Sequence, residues 1–203
     1  MDQERLWVAQ TLRGDQSAFA RLVELYKNPI YNLCYRMLGN ATEAEDAAQE
    51  TFVRIYMHLQ AYDPQKKLSS WVLAVASHYC VDRLRRRRLT WLSLDEEPEL
   101  EPPAANVVHP EDVVLQNESS AEVQRWLKAL PVEYRLVITL RYWQDLSYAE
   151  IAQATGASES AVKSKLHRAR CMLAQQVMAQ GKRELQSDCR VSAERTVLNH
   201  AAL

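Results

Sequence analysis

The stretch Leu146-Ser-Tyr-Ala-Glu-Ile-Ala-Gln-Ala-Thr-Gly-Ala-Ser-Glu-Ser-Ala-Val-Lys-Ser-Lys-Leu-His-Arg-Ala-Arg170 predicts two short helices around a tight turn. Ser147 and Glu150 have the S-x-x-E spacing of a capping box, which satisfies unpaired backbone amides at the start of a helix. Gly156 falls where the first helix must end, because glycine tolerates a positive φ. Ser158 can then cap the second helix. This punctuation predicts a helix-turn-helix.

The second of these helices has two different faces. Apolar residues that can pack inward recur at helical spacing: Val162, Leu166, Ala169 and Leu173. A second stripe has no apolar member and is rich in hydrogen-bond donors: Ser160, Lys163, Ser164, His167 and Arg168. Base edges and phosphates in the major groove of DNA accept hydrogen bonds, so this face favours DNA binding. An ordinary helical hairpin that binds nothing would carry the same caps.

Composition narrows the class of protein. The chain is 47% hydrophobic and 25% charged, as is usual for a soluble globular protein. Its four glycines argue against a sheet-rich fold with many tight turns, and neither G-x-G-x-x-G nor a P-loop is present. No apolar run is long enough to cross a bilayer, and the N-terminus lacks the apolar core of a signal peptide. We therefore expect a cytoplasmic protein with no membrane insertion of its own.

The cysteines do not predict a metal site. Cys34, Cys80, Cys171 and Cys189 are scattered, with no C-x-x-C spacing and no accompanying histidine cluster. Free thiols in a reducing cytoplasm are the better interpretation, and Cys34 and Cys80 are expected to be small core residues. No paired carboxylates, activated nucleophile or metal-ligand set emerges from the sequence. We therefore expect no catalytic residues, no metal and no cofactor, and the chain is not predicted to be an enzyme.

An uneven charge distribution divides the chain. Residues 93–120 contain eight acidic residues, no lysine or arginine, and four of the seven prolines. Such a segment buries too little apolar surface to fold, and its prolines and like charges keep it extended. The predicted organisation is therefore a helical domain over 1–92, an acidic flexible linker over 93–119 and a helix-turn-helix domain over 120–180. The sequence assigns no role to the C-terminal tail, 181–203.

Helical periodicity continues through both predicted domains. The first apolar stripe, which Pro29 interrupts, consists of Phe19, Leu22, Val23, Tyr26, Ile30, Leu33 and Met37. The next consists of Ala44, Ala47, Ala48, Thr51, Phe52, Ile55, Tyr56 and Leu59. Thr42 and Glu45 predict a capping box at the start of this second helix, and Ser69 or Ser70 is expected to cap a third helix from Trp71. Two further helices, around residues 121–130 and from residue 131, are expected before the helix-turn-helix. The prediction is an all-α fold.

Three motifs, in order along the chain, resemble those of a bacterial RNA polymerase sigma factor. Asp46-Ala-Ala-Gln-Glu-Thr-Phe-Val-Arg54 resembles the D-A-x-Q-[ED]-x-F signature of region 2.2. Ser70-Trp-Val-Leu-Ala-Val-Ala76, followed by Asp82-Arg-Leu-Arg-Arg86, resembles regions 2.3 and 2.4. Leu130-Pro131 and the helix-turn-helix resemble region 4. Because the chain has only these two domains, it is similar to the extracytoplasmic-function (ECF) group, the smallest sigma factors.

The resemblance implies a function and its partners. A sigma factor binds core RNA polymerase and directs promoter-specific transcription initiation, and an anti-sigma factor is expected to hold this one inactive until a signal. The residues that match the polymerase-docking motif are Asp46, Gln49, Glu50 and Val53. Those implied to contact the minus-ten element of promoter DNA are Trp71, His78, Asp82, Arg83, Arg85, Arg86, Arg87 and Arg88. Those implied to contact the minus-thirty-five element are Ser160, Lys163, Ser164, Lys165, His167, Arg168 and Arg170.

One of these assignments also rests on the residues themselves, and one residue departs from the family pattern. Compensation of a helix dipole explains one or two cations at a helix C-terminus, and the five arginines between residues 83 and 88 exceed that need. Phosphate binding is the better account of the run. His78, seven residues after Trp71, departs from the family pattern, in which an asparagine often holds a flipped base of the minus-ten element.

Two other functions remain open on the sequence alone. A sigma-like decoy would bind an anti-sigma factor without directing transcription, but it would not need the arginine run or the donor-rich helix face. A helix-turn-helix repressor would need a dimerisation or ligand-binding domain, and the N-terminal block carries the polymerase-docking motif in that place.

Overall fold

A computed structural model describes the backbone of residues 2–92 and 112–200, with side chains over 3–87 and 121–179. Within these ranges the chain forms eight α-helices and no strand, which confirms the all-α prediction. The helices are α1 (Asp2–Leu12), α2 (Gln16–Leu38), α3 (Ala41–His58), α4 (Leu68–Leu92), α5 (Asp112–Ala129), α6 (Val132–Tyr142), α7 (Tyr148–Thr155) and α8 (Glu159–His200). A short 3₁₀ turn, Leu59–Ala61, follows α3.

Helix α3 begins at Ala41, and its N-cap lies two residues before the predicted cap, Thr42. Asn40 is the N-cap, with extended backbone angles and a side-chain oxygen that accepts from the Glu43 amide at 3.0 Å. The prediction of a Thr42–Glu45 box was therefore wrong, because Thr42 already lies within the first helical turn. Gly39, at φ 78°, ends α2, and Asn40 follows it directly. Only these two residues separate α2 from α3.

Helix α4 also begins earlier than predicted, at Leu68 rather than at Trp71. Neither Ser69 nor Ser70 caps the helix, because both lie within its first turn. The buried Ser70 hydroxyl instead donates to the Glu150 carboxylate, in the C-terminal half of the chain, at 3.4 Å. Leu68 is buried as well, so the first turn of α4 is held by packing. Trp71, the first residue of the predicted minus-ten surface, is therefore the fourth residue of α4 and not its first.

Helices α1–α4 pack around the apolar face of α2. The fully buried side chains at the centre include Ile30, Leu33, Met37 and Val72. Cys34 and Cys80 are fully buried between α2 and α4 with their sulfur atoms 3.6 Å apart, which confirms that both are core residues. The hydrogen bond to Cys34 and burial raise the pKa of the Cys80 thiol.

Helices α5–α8 form the second domain. Its largest buried side chains are Leu127, Leu140, Ile151, Val137 and Val162. Two boundaries differ from expectation: α5 begins at Asp112, within the predicted linker, and the backbone of α8 continues to His200, through most of the predicted tail. Residues 93–111 of the predicted linker lie outside the described residues.

The two domains pack against each other through their helix ends. The buried guanidinium of Arg135 donates to the carbonyl of Met37 at the end of α2, and to the carbonyls of Lys128 (2.8 Å) and Leu130 (3.3 Å) at the end of α5. Gln124 donates to two more α2 carbonyls, at 3.0 and 3.1 Å. The C-terminus of α2 is therefore capped by side chains of the other domain, which satisfies carbonyls that a helix end leaves unpaired.

A second contact joins α4 to α7. The Lys67 ammonium lies 2.8 Å from the Glu150 carboxylate, which also accepts from Ser147 in the capping box. The bonds from Lys67 and Ser147 lower the pKa of the Glu150 carboxyl to about 2. In the described part of the chain, no helix has the length and apolar character to span a membrane.

Candidate nucleic-acid interface

The helix-turn-helix has the geometry that its sequence predicts. Ser147 and Glu150 form a capping box, in which the Glu150 carboxylate accepts from the Ser147 amide at 2.8 Å. Gly156 ends α7 at φ 67°, and the Ser158 hydroxyl accepts from the Ala161 amide at 3.2 Å. All three local predictions, the capping box, the Gly156 end and the Ser158 cap, are confirmed. Together they fix the angle at which α8 leaves the turn.

Helix α8 has the two faces expected of it. Val162, Leu166 and Ala169 are buried against α6 and α7, and Leu173 is partly buried. The predicted minus-thirty-five residues on the exposed surface are Ser160, Lys163, Ser164, His167, Arg168 and Arg170. Because the apolar stripe is held in the core, the donor-rich stripe is presented outward as one continuous ridge.

Lys163 is steadied by an aromatic ring that the sequence analysis missed. Its ammonium lies 5.7 Å from the ring centroid of Tyr148, and the Arg141 guanidinium lies 5.6 Å from the same centroid. Both distances are within the range of a cation–π interaction. Sequence spacing gave no signal of this contact, because it depends on the crossing angle of α7 and α8.

Lys165 differs from the other predicted minus-thirty-five residues. Its ammonium lies 2.7 Å from the carboxylate of Glu133 on α6, and its side chain is only 31% exposed. This pairing lowers the pKa of the Glu133 carboxyl, chiefly through the hydrogen bond from Lys165. The structure therefore places Lys165 at the edge of the ridge, joined to α6.

The arginine run occupies the C-terminal half of α4. Arg85, Arg86 and Arg87 are exposed, and Arg83 is partly buried. Arg83 donates to the Tyr79 hydroxyl at 3.4 Å, and Arg87 donates to the Glu43 carboxylate at 3.3 Å. The side chain of Arg88 lies outside the described residues. Two of these arginines therefore already donate hydrogen bonds to other side chains of the protein.

The remaining predicted minus-ten residues lie along the same helix. Trp71 is half-buried, packs against the core and contacts Tyr62 at a tilt of 52°, with ring centroids 5.6 Å apart. His78 and Asp82 are exposed. Since seven and four residues are both close to whole helical turns, Trp71, His78 and Asp82 share one face of α4. That face continues into the arginine run.

The predicted polymerase-docking residues lie on α3, with Asp46, Gln49 and Val53 exposed. Glu50 is partly buried, and its carboxylate accepts from Nε of Arg54 at 2.8 Å. These residues therefore share a surface, as their sequence spacing indicates.

One residue of α3 does not lie where the sequence analysis put it. Tyr56 was expected in the buried stripe but is 48% exposed, with its ring edge against Phe19 at 4.9 Å. The expectation of burial was wrong, since the Tyr56 ring contacts Phe19 of α2 at the surface. Together with the exposed Val53 and Met57, Tyr56 forms an apolar patch next to the docking residues.

Two protein-family models match the chain in order. The model "Sigma-70 region 2" matches residues 22–90, and "Sigma-70, region 4" matches residues 120–173. The ECF RNA polymerase sigma factor SigW of Bacillus subtilis is 39% identical over 177 residues, which cover 84% of this chain and 94% of SigW. The ECF RNA polymerase sigma factor SigE of Mycolicibacterium smegmatis is 34% identical over 164 residues, covering 79% of this chain and 63% of SigE.

A solved structure supports the same relationship. CnrH, in complex with the cytosolic domain of CnrY, superposes with a TM-score of 0.66 at 25% sequence identity. The superposition covers 88% of this chain and 99% of CnrH. The likeness therefore extends across both helical domains.

Proposed function

Since the chain belongs to the sigma-70 family and is an ECF sigma factor, we propose how its described surfaces carry out promoter-specific transcription initiation. The domain of α1–α4 docks on core polymerase and binds the minus-ten element. The domain of α5–α8 binds the minus-thirty-five element. RNA synthesis itself is left to the polymerase, so this chain contributes binding and no catalytic group.

The observation that carries this proposal is the exposed ridge of α8. Val162, Leu166 and Ala169 hold one side of the helix in the core, and this leaves the donor-bearing stripe of Ser160, Lys163, Ser164, His167 and Arg168 facing outward. The N-terminal half of a recognition helix enters the major groove, so Ser160, Lys163 and Ser164 lie deepest. His167, Arg168 and Arg170 follow along the groove towards the phosphates.

Minus-ten recognition is assigned to the face of α4 that begins at Trp71. Bases that leave the duplex need an aromatic platform and polar partners, which Trp71, His78 and Asp82 offer in sequence along one face. The arginines at residues 83 and 85–88 follow and hold the backbone of the adjoining duplex. His78 replaces the amide often found at its position, and its ring nitrogens can donate to or accept from a base edge.

Polymerase docking is assigned to α3. Asp46, Gln49, Glu50 and Val53 project from the helix on the side away from its buried stripe. The adjacent exposed apolar side chains, Tyr56 and Met57, extend this surface. An apolar patch beside polar and acidic groups is typical of a protein interface.

Binding both promoter elements at once requires the two domains to separate. The elements lie about 25 base pairs apart by position, or about 85 Å of duplex. A compact chain of 203 residues is only about 45 Å across. Residues 93–111 can span at most roughly 70 Å, so they can connect separated domains. The contacts of Arg135 with α2, and of Lys67 with Glu150, would then break.

We further propose that the chain acts in the cytoplasm and that an anti-sigma factor holds it inactive. Two points support this. CnrH, which the chain resembles over both domains, was solved in complex with the cytosolic domain of another protein. The apolar patch of Val53, Tyr56 and Met57 is also exposed here and would be covered by any partner that blocks polymerase docking.

The test is transcription by core polymerase with and without the purified chain on a fragmented genomic DNA library. We expect the chain to direct initiation at a small set of sites that share two sequence elements. Core binding without initiation would indicate a decoy. DNA binding without any need for polymerase would indicate a repressor. Either result would overturn the proposal.

A further inference from the structure

A cavity lies between α3 and α4, on the side of α4 where the arginine run begins. Its lining residues are Arg54, Tyr79, Asp82, Arg83 and Arg86, and its volume is about 170 Å³. One water molecule needs roughly 15 Å³ of such space, so the cavity can admit a polyatomic group. Three guanidinium groups against one carboxylate give its wall a net positive charge.

Tyr79 organises two of the three arginines. The Arg54 guanidinium lies over the ring of Tyr79, 4.7 Å from its centroid. Arg83 donates to the hydroxyl of the same tyrosine at 3.4 Å. One tyrosine therefore holds one arginine with its face and another with its edge, and the two arginines come from different helices. An arrangement fixed before binding loses less entropy when a ligand arrives.

The existing partners of Arg54 leave it able to bind an anion. Its hydrogen bond to Glu50 is made through Nε, at 2.8 Å. A guanidinium has five N–H donors in a planar fork, so that bond leaves the terminal amino group away from Glu50 for a further acceptor. Arginines presented in this way match the tetrahedral oxygens of a phosphate.

We propose that this cavity binds one backbone phosphate of promoter DNA beside the minus-ten element, with Arg54 as a direct contact and Tyr79 as a positioning residue. The inference rests on the proposed function, because it takes promoter DNA as the ligand. It gives α3 two roles, since its outer face docks on polymerase while Arg54 reaches across to the DNA surface of α4. Nothing in the linear motif marks Arg54 or Tyr79 for this role.

The experiment is a methylphosphonate scan of promoter DNA around the minus-ten element, with holoenzyme made from each variant. A methylphosphonate removes the charge of one phosphate. With the unaltered chain, we expect several sensitive positions, and the phosphate in the cavity should be one of them, losing about tenfold in affinity, the size of a charge-assisted contact. With Arg54→Gln, overall affinity should fall about tenfold and that one position should become insensitive. The salt dependence should lose about one unit of log–log slope.

Two tyrosine variants test the positioning role. Tyr79→Phe keeps the ring under Arg54 and should retain the sensitive position. Tyr79→Leu removes the ring and should reproduce the Arg54→Gln map. Arg21→Gln, which removes an exposed charge from α2 in the same domain, is the matched control and should leave the map unchanged.

The outcomes separate this inference from the proposed function. If the unaltered holoenzyme initiates but Arg54→Gln keeps the full methylphosphonate map, the cavity is not a phosphate site. If Arg54→Gln instead lowers only the affinity for core polymerase, Arg54 acts through Glu50, and the inference is also overturned. If the unaltered chain directs no initiation at all, the proposed function fails and the inference fails with it.

Discussion

The two DNA surfaces of the molecule present their cations differently. On α4, Arg83 donates to Tyr79 and Arg87 donates to Glu43, so the protein already uses part of the donor capacity. On α8, Lys163 and Arg168 have neither a hydrogen bond nor an ion pair with any described residue, although Lys163 lies near the ring of Tyr148. A donor without a protein partner is free to read base edges. A cation shared with the fold is better suited to hold phosphates in a fixed position.

The difference follows from what lies beside each helix. Helix α4 packs against α3, whose acidic residues, Glu43 among them, come within reach of the arginine run. Helix α8 packs with an apolar stripe, and Glu133 on α6 forms an ion pair with Lys165 at the edge of the outer ridge. We therefore predict that α8 determines the preference for particular promoter sequences, whereas α4 contributes the same affinity on every promoter.

The largest expected effect comes from a variant that unfolds the α8 surface and leaves the α4 surface intact. Val162 is fully buried, so Val162→Asp places a carboxylate in the core of the helix-turn-helix domain. We expect the domain to lose at least ~3 kcal/mol and to unfold. Circular dichroism and amide exchange should show α6–α8 lost and α1–α4 retained. Ser164→Asp, at an exposed position on the same helix, is the control and should leave the fold intact.

This variant also tests whether the two domains fold independently. Arg135 and Gln124 cap the C-terminus of α2, so loss of the second domain uncaps that helix. If α1–α4 unfold together with α6–α8, the molecule is a single cooperative unit. The contrast between two separate DNA surfaces would then have no meaning in the free chain.

The next effect concerns α4. Arg86→Gln combined with Arg87→Gln should weaken promoter binding by holoenzyme about 30-fold at physiological salt, alike on all promoters. The slope of log affinity against log salt should fall by about two units, one for each lost phosphate contact. The measurement is a salt titration on three promoters of different sequence. Arg13→Gln with Arg21→Gln removes equal charge from exposed sites elsewhere in the domain and should change neither quantity. A promoter-dependent loss would mean that α4 reads sequence.

The local features of this molecule could be predicted from its sequence, but its cross-chain contacts could not. Ser147, Glu150 and Gly156 act on backbone groups within a few residues, so their spacing is sufficient to locate a capped helix. Arg135 meets Met37 from 98 residues away, and nothing in either neighbourhood indicates this partner. Even local patterns are degenerate: Thr42–Glu45 and Asn40–Glu43 have the same spacing, yet only Asn40 is the cap.

The predicted DNA surfaces divide in the same way. The ridge of α8 could be predicted because one helix supplies all its residues. The cavity of Arg54 and Tyr79 could not, because it depends on how α3 packs on α4. The contact of the exposed Tyr56 with Phe19 likewise depends on another helix.

A smaller effect is expected from a single residue of the α8 ridge. Lys163→Ala should relax preference at one or two positions of the minus-thirty-five element by about tenfold, because one base contact contributes about 1–3 kcal/mol of discrimination. A randomised minus-thirty-five library, transcribed with the unaltered chain and with the variant, gives the two preference profiles. Identical profiles would show that Lys163 does not read a base. The proposed difference between the α8 and α4 surfaces would then be weaker.

The smallest effect concerns Lys165, where the two kinds of surface meet. Its ion pair with Glu133 joins side chains that are 31% and 59% exposed, so it should contribute no more than about 1 kcal/mol to stability. If Lys165 also contacts a phosphate, Glu133 competes with DNA for the ammonium. Glu133→Ala should then raise affinity about threefold on all promoters and steepen the salt dependence by up to one unit. Adding Lys165→Ala to Glu133→Ala should abolish this gain in affinity.

The double variant makes this test independent of stability. A gain that persists in Glu133→Ala with Lys165→Ala would show that removing a negative charge acts on DNA from a distance, and Lys165 would then be only a packing residue of α6 and α8. A gain that disappears would place Lys165 with the phosphate-binding arginines of α4, since both share their charge with an acidic residue of the fold before DNA arrives. The relevant difference would then lie between cations that are paired with an acidic residue of the fold and donors that are not. Helix α8 would carry both kinds.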